Sequence, residues 1–329
     1  MTNNLKLNDI SKFRTELMGI SAIMILICHT PINGIKMPKL LEYILVQGQI
    51  GVDIFLLLSG MGLWYSLNSY KGKLRYWYRN RYVKLMVPYL IIHTIMTILI
   101  SILNNNFDFW YWLSTACTIE FWLTHKAAWF VALLVPLYLF APTLRLYLEI
   151  NHWSKLFLLL LLTYLIALFP LSNFGWQNSN ILNNIQFVMI RVPSFILGMF
   201  LAPYIKSNKT ISTIWIAPMF LGAGLTLAAT RTPIHTYLFL VLPVIYFWIV
   251  LFSMKQSSWL NRTCIFFGNI SLESYLWNSL GKVIAPLMII FSIPDYNNFL
   301  MYFLVLAFGT FLSVVINKIS KLIISLLIK

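Results

Sequence analysis

Five ionisable side chains fall inside long apolar stretches of the sequence: His29, Asp53, Arg191, Glu273 and Lys282, with Arg14 and Glu16 at the edge of the first stretch. At a bilayer centre such a group costs at least about 2.5 kcal/mol on insertion scales, so each needs a partner or a task. His29 and Asp53 are the residue types of a general base, in which a carboxylate orients an imidazole and stabilises the charge it gains. The same pair could instead only hold two helices together. Arg191, within the apolar run Gln186 to Pro203, must find a carboxylate, carbonyls or a polar cavity. Asp53, Glu273 and a bound substrate are its candidate partners.

A second group is basic. Arg75, Arg79, Arg81 and Lys84 are interleaved with Tyr76, Trp77, Tyr78 and Tyr82. Such a cluster either holds lipid head groups beside a membrane span or cradles a phosphorylated cofactor. Later, Ser271, Tyr275 and Asn278 share one helical face beside Glu273, as a polar stripe lining a cavity or as interhelical hydrogen bonds. Ser59, followed by Gly60, reads as a close helix contact rather than a nucleophile.

The elements that must position these groups are membrane helices. The 329-residue chain is 60% hydrophobic and 10% charged, with a mean hydropathy of +0.78, a composition that a water-exposed surface does not tolerate. Runs of about 20 apolar residues predict about ten spans, near 17–34, 48–68, 83–103, 127–147, 155–171, 184–204, 211–229, 235–254, 269–291 and 298–325. With that parse 18 of the 24 Lys and Arg fall on the side that holds both termini, which the positive-inside rule makes the cytoplasm. The first apolar run has no small-residue cleavage site after it and is expected to stay as a helix. His29 then lies roughly 20 Å along a helix from Glu16, and Asp53 enters from the outer side at a depth where the two could meet.

The net charge of +15 follows from this topology and from contact with anionic lipid, and calls for no nucleic-acid partner. Cys28, Cys117 and Cys264 have no CxxC spacing, and the five histidines, at 29, 93, 125, 152 and 235, are scattered, so neither a disulfide framework nor a metal site is expected. Two outer loops stand out, 104–126 with Trp110, Trp112, Glu120 and Trp122, and the polar, uncharged 172–184. The first reads as an interfacial aromatic belt; the second suits a lid, a sugar-contacting surface or a plain connection. No internal repeat divides the chain, so residues 1–329 are expected to form one membrane domain.

Several of these stretches resemble the membrane acyltransferase-3 family, the multi-span enzymes that O-acetylate sugars at the bacterial cell surface. Leu17 to His29 is similar to its opening helix ending in histidine, and Gly51-Val-Asp-Ile-Phe-Leu-Leu-Leu-Ser-Gly60 to its most specific motif. Arg81-Tyr-Val-Lys84 with Pro88-Tyr89 resembles its R-x-x-R segment. Trp129-Phe130 through Tyr138 to Pro142, Arg191-Val-Pro-Ser-Phe195 with Gly198, and Ser271-Leu-Glu-Ser-Tyr275 resemble later signatures. Three positions depart from the pattern: Met18 falls where an arginine is usual, Lys84 replaces an arginine and Asn278 a histidine.

The resemblance implies an acyl-CoA donor, usually acetyl-CoA, held from the cytoplasm by Arg75, Arg79, Arg81, Lys84 and Arg14, and a hydroxyl acceptor on a cell-surface or lipid-linked carbohydrate. It implies His29 as base or acyl carrier assisted by Asp53, with Arg191, Glu16, Glu273, Tyr275 and Asn278 near substrate or transition state, in a bacterial cytoplasmic membrane. A transporter or flippase for a polar lipid or sugar, and a catalytically inactive family member, are the alternatives.

Overall fold

The fold is a helical bundle, described from a computed structural model over residues 4–32, 36–125, 128–149, 153–254, 258–278 and 299–328. Its helices are α1 (Asn8–Lys12), α2 (Arg14–Ile32), α3 (Lys39–Val46), α4 (Ile50–Ser69), α5 (Leu74–Asn104), α6 (Phe109–Ala116), α7 (Ile119–Thr124) and α8 (Trp129–Leu148). They continue with α9 (Trp153–Ala167), α10 (Asn180–Met189), α11 (Val192–Lys206), α12 (Ile216–Thr230), α13 (Tyr237–Ser253), α14 (Ser258–Asn269), α15 (Ser271–Asn278) and α16 (Phe299–Leu327).

Seven stretches among the described residues are long and apolar enough to cross a bilayer: Lys39–Ser69, Leu74–Ile102, Trp129–Leu148, Asn180–Lys206, Thr213–Thr230, Pro233–Ser253 and Leu306–Leu327. The all-α membrane architecture expected from hydropathy is therefore present. The expected span at 155–171 corresponds to the shorter apolar helix α9. That at 269–291 runs past residue 278 and, with Lys282, lies partly outside the described residues. Hydropathy does not announce a two-stranded antiparallel ribbon, β1 (Asn4–Lys6) with β2 (Thr210–Ser212), that ties the N-terminal segment to the chain after α11.

Small residues place the central helices. Glycine lets backbones approach where apolar burial gives no driving force in lipid. A Cβ at Gly60 would come within 2.2 Å of the Phe195 carbonyl, and one at Gly198 within 2.0 Å of the Leu57 carbonyl, so α4 and α11 lie backbone against backbone. Gly19 against Cys264 and Gly268 against Thr15 do the same for α2 and α14. Gly60 thus carries a packing role, as its Ser-Gly context suggests.

Several basic residues meet at one end of the bundle. Arg14 at the start of α2 reaches Gly62 on α4, Arg145 near the end of α8 faces Asn68 at 3.4 Å, and Arg79 donates to the Leu327 carbonyl at the end of α16.

Candidate active site

At this basic end a cavity of about 460 Å³ opens between α2, α4, α5, α8 and α15. Its wall carries three cations, Arg14, Arg81 and Lys84, and among the described residues no carboxylate. None of the three is in an ion pair among those residues. Arg14 Nε is buried without a hydrogen-bond partner among them, and the Arg14 guanidinium is 3.2 Å from where a Gly62 Cβ would stand. Tyr65, Tyr138 and Ser59 add hydroxyl groups. Convergent cations with no acid beside them repel one another, and an anion with several oxygens is the ligand that removes the repulsion. Away from the cations the wall becomes apolar. It ends at Phe55, Phe130 and Tyr275, with Phe130 6.2 Å from Phe55 and 5.2 Å from Tyr275 between ring centroids.

A second charged centre is closed. Arg191 sits at the break between α10 and α11, where Pro193 in the first turn of α11 suits the start of a new helix. Its guanidinium donates to the Asp53 carboxylate, to Gln49 Oε1 at 3.2 Å and to the Gln49 carbonyl at 3.5 Å, and lies 5.1 Å over the Tyr237 ring. Ser194 Oγ donates to the other Asp53 oxygen at 2.8 Å. Asp53 and Arg191 are 1% and 3% exposed, so each charge is fully matched inside the bundle, as buried ions must be.

His29 is half-buried near the far end of α2. Its Nδ1 lies 2.7 Å from the Ile25 carbonyl. A carbonyl only accepts, so Nδ1 carries the proton in this contact. The expected pairing with Asp53 is not made. The glycine contacts set Gly51 against Ser21 and Gly48 against Met24, which puts Asp53 roughly 15 Å below His29 along the helix axes. Asp53 serves Arg191 and Ser194, and the backbone of α2 itself fixes the imidazole tautomer.

Residues 17–318 match the acyltransferase domain of the acyltransferase-3 family. The chain belongs to that family. No curated protein and no solved structure matches it. It is therefore a membrane acyltransferase, and the two centres can be read against that activity.

In this acyltransferase the expected donor cluster divides. Arg81 and Lys84 face the cavity, while Arg75 donates to Tyr76 Oη at 2.8 Å and Arg79 to the end of α16. The signal was in the spacing: at 3.6 residues per turn Arg81 and Lys84 are roughly 60° apart, and Arg75 and Arg79 project from the opposite face. Arg14 joins the cavity because it lies one turn before Met18, which also lines it, so the guanidinium absent at position 18 is supplied from four residues earlier. Glu16 is half-buried and not in the wall.

Ser271 and Tyr275 share the cavity-facing side of α15 as their spacing predicts, and Asn278 is the last described residue of that helix. Glu273 points elsewhere: it is 5% exposed and accepts from Asn317 Nδ2 at 3.0 Å, bracing α15 on α16. Ser194, Gln49 and Tyr237 were not anticipated as partners of the buried pair. Only the three-residue step from Arg191 to Ser194, one helical face, hinted at the first.

Proposed function

We propose that this acyltransferase takes its acyl group from a coenzyme A thioester, acetyl-CoA in the simplest case, and passes it to a hydroxyl of a cell-surface or lipid-linked carbohydrate. The observation that carries the reading is the cavity at the basic end, with three cations, no described carboxylate in its wall and an unpartnered Arg14 Nε. Coenzyme A is a polyanion with an apolar-tolerant arm, and the cavity passes from cations to aromatic rings in the same order.

In this reading the chain has about ten spans with both termini in the cytoplasm of a bacterium, and the basic end faces the donor pool. Arg14, Arg81 and Lys84 hold the donor phosphates. From Met18 to His29 the donor arm has about 16 Å to cover along α2, past Phe55, Phe130 and Tyr275. His29 Nε2 takes the proton of the acceptor hydroxyl as its oxygen attacks the thioester carbonyl; the tetrahedral adduct collapses with cleavage of the C–S bond, and the proton passes to the departing coenzyme A sulfur. Alternatively, Nε2 itself attacks, releases coenzyme A as thiol and passes the acyl group to the hydroxyl. Asp53 acts through Arg191, whose guanidinium, on the His29 side of the cavity's aromatic end, would add positive potential where negative charge develops on oxygen. The acceptor arrives from the opposite face of the membrane.

The test is acetyl-CoA consumption by detergent-purified protein with a panel of glycan acceptors, for wild type, His29→Ala and Asp53→Asn, with donor binding measured on the same samples. Lost turnover in His29→Ala with donor binding retained is expected. Well-folded wild type that neither binds nor consumes any acyl-CoA would sink the reading and favour a transporter or an inactive family member.

A further inference from the structure

Helix α8 separates two cavities. Phe130, Leu134 and Tyr138 face the cationic one, whereas Leu133, Pro136, Leu137 and Phe140 face a larger groove of about 810 Å³ shared with α9, α10 and α11. The groove floor is buried Leu133, Val188, Val192 and Ile196, and exposed Leu139, Phe140 and Leu162 form its rim. Pro136 and Pro142 interrupt the α8 hydrogen-bond ladder, and Tyr82 and Tyr78 bond the Val135 and Leu139 carbonyls at 2.9 and 2.8 Å, drawing α8 toward α5.

The lining offers water almost no polar partner, and a void there forfeits dispersion contacts on every wall. From Leu133 to Tyr147 it runs about 21 Å along α8, well over half of the roughly 30 Å hydrocarbon layer. Its two ends differ in charge. Beside Tyr147 stands Lys155, which donates to the Tyr147 carbonyl at 3.0 Å and lies 4.9 Å over its ring, while Arg145 at the same end of α8 faces Asn68 of α4. One acid, Glu149, is 3.4 Å from Arg145. At the Trp122 end stands Glu120, which holds Ser114 and Thr124 at 3.0 and 2.7 Å.

We propose that this groove is a binding site for one chain of an anionic glycerophospholipid, whose phosphate sits at the Lys155 end. Dryness and length select a hydrocarbon chain, and the charge difference between the ends sets its direction, since a phosphate near Glu120 would be repelled. The site is independent of the donor reading, because its walls lie on the other side of α8 and Lys155 is not in the wall of the cationic cavity.

The test is native mass spectrometry of the full chain in detergent, incubated with phosphatidylglycerol or phosphatidylcholine at equal concentration. Wild type is expected to retain one phosphatidylglycerol per chain, about fivefold over phosphatidylcholine. Leu162→Trp, which fills the groove from its rim and leaves Lys155 in place, and Lys155→Glu, which reverses the charge at the phosphate end, are each expected to lower that retention about fivefold. No retained lipid in wild type, equal retention of the two lipids, wild-type retention in either variant, or a dimer that forms without lipid would each overturn the proposal.

Discussion

The two charged centres of this acyltransferase are built on opposite principles. Around Asp53 and Arg191 every charge is matched: the carboxylate takes the guanidinium on one oxygen and the Ser194 hydroxyl on the other, and the guanidinium also has Gln49 and the Tyr237 face. Around Arg14, Arg81 and Lys84 three cations converge on an open volume and no described carboxylate answers them. A matched, buried centre holds helices and positions groups, whereas an unmatched, accessible one awaits a ligand of opposite charge. The difference also separates two kinds of arginine by burial, since Arg191 is 3% exposed while Arg81 is half-exposed and Arg75 and Arg79 are fully at the surface.

The largest expected effect would break the matched centre. Arg191→Ala leaves the Asp53 carboxylate buried and unpaired, and is expected to destabilise the protein by about 3–5 kcal/mol, read as a large fall in the melting temperature of detergent-purified protein. Asp53→Asn keeps hydrogen-bonding capacity and is expected to lose less. A melting temperature unmoved by Arg191→Ala would mean that the pair does not hold α4 to α11.

The opposite is expected at the other centre. Arg14→Ala or Arg81→Ala removes a repelling charge, so thermal stability should stay level or rise, while affinity for coenzyme A falls at least tenfold, the loss of one charge-assisted contact of about 1.5–3 kcal/mol. Gly62→Leu sharpens the point by leaving all three cations and filling the space beside Arg14; a similar tenfold loss is expected by calorimetry. If affinity survives in Gly62→Leu, the donor lies outside this cavity.

Smaller effects follow from screening and from facing direction. Raising salt from about 0.05 to 0.5 M should weaken donor binding several-fold, because the Debye length falls roughly threefold, to about 4 Å, and the longer-range attraction between the cavity cations and the donor phosphates is screened. Arg75→Ala and Arg79→Ala should change donor affinity by less than about twofold, since both project away from the cavity. A tenfold loss in either would erase the distinction between the two faces of α5.

Much of this was legible in the residues. Apolar runs marked a helical membrane protein, Gly51 to Gly60 marked the central helix, and the cost of burying Arg191 marked it as paired. What stayed hidden was helix register. Depth counting placed Asp53 opposite His29, but the level at which α2 meets α4 is set by Gly48 and Gly51 pressing on Met24 and Ser21, a contact between elements that no single helix encodes. Arg14 was legible as a donor ligand despite Met18, and the two residues share one wall; Glu16, its neighbour, does not reach it. The ribbon of β1 with β2 pairs segments about 200 residues apart, beyond the reach of local pattern.

The most direct test of the account is equilibrium binding of coenzyme A to detergent-purified protein, by calorimetry, comparing wild type with the double variant Arg14→Ala, Arg81→Ala. Wild type is expected to bind, and the double variant to lose about a hundredfold in affinity with an unchanged or higher melting temperature. Equal affinity in both, or no binding by folded wild type, would contradict it.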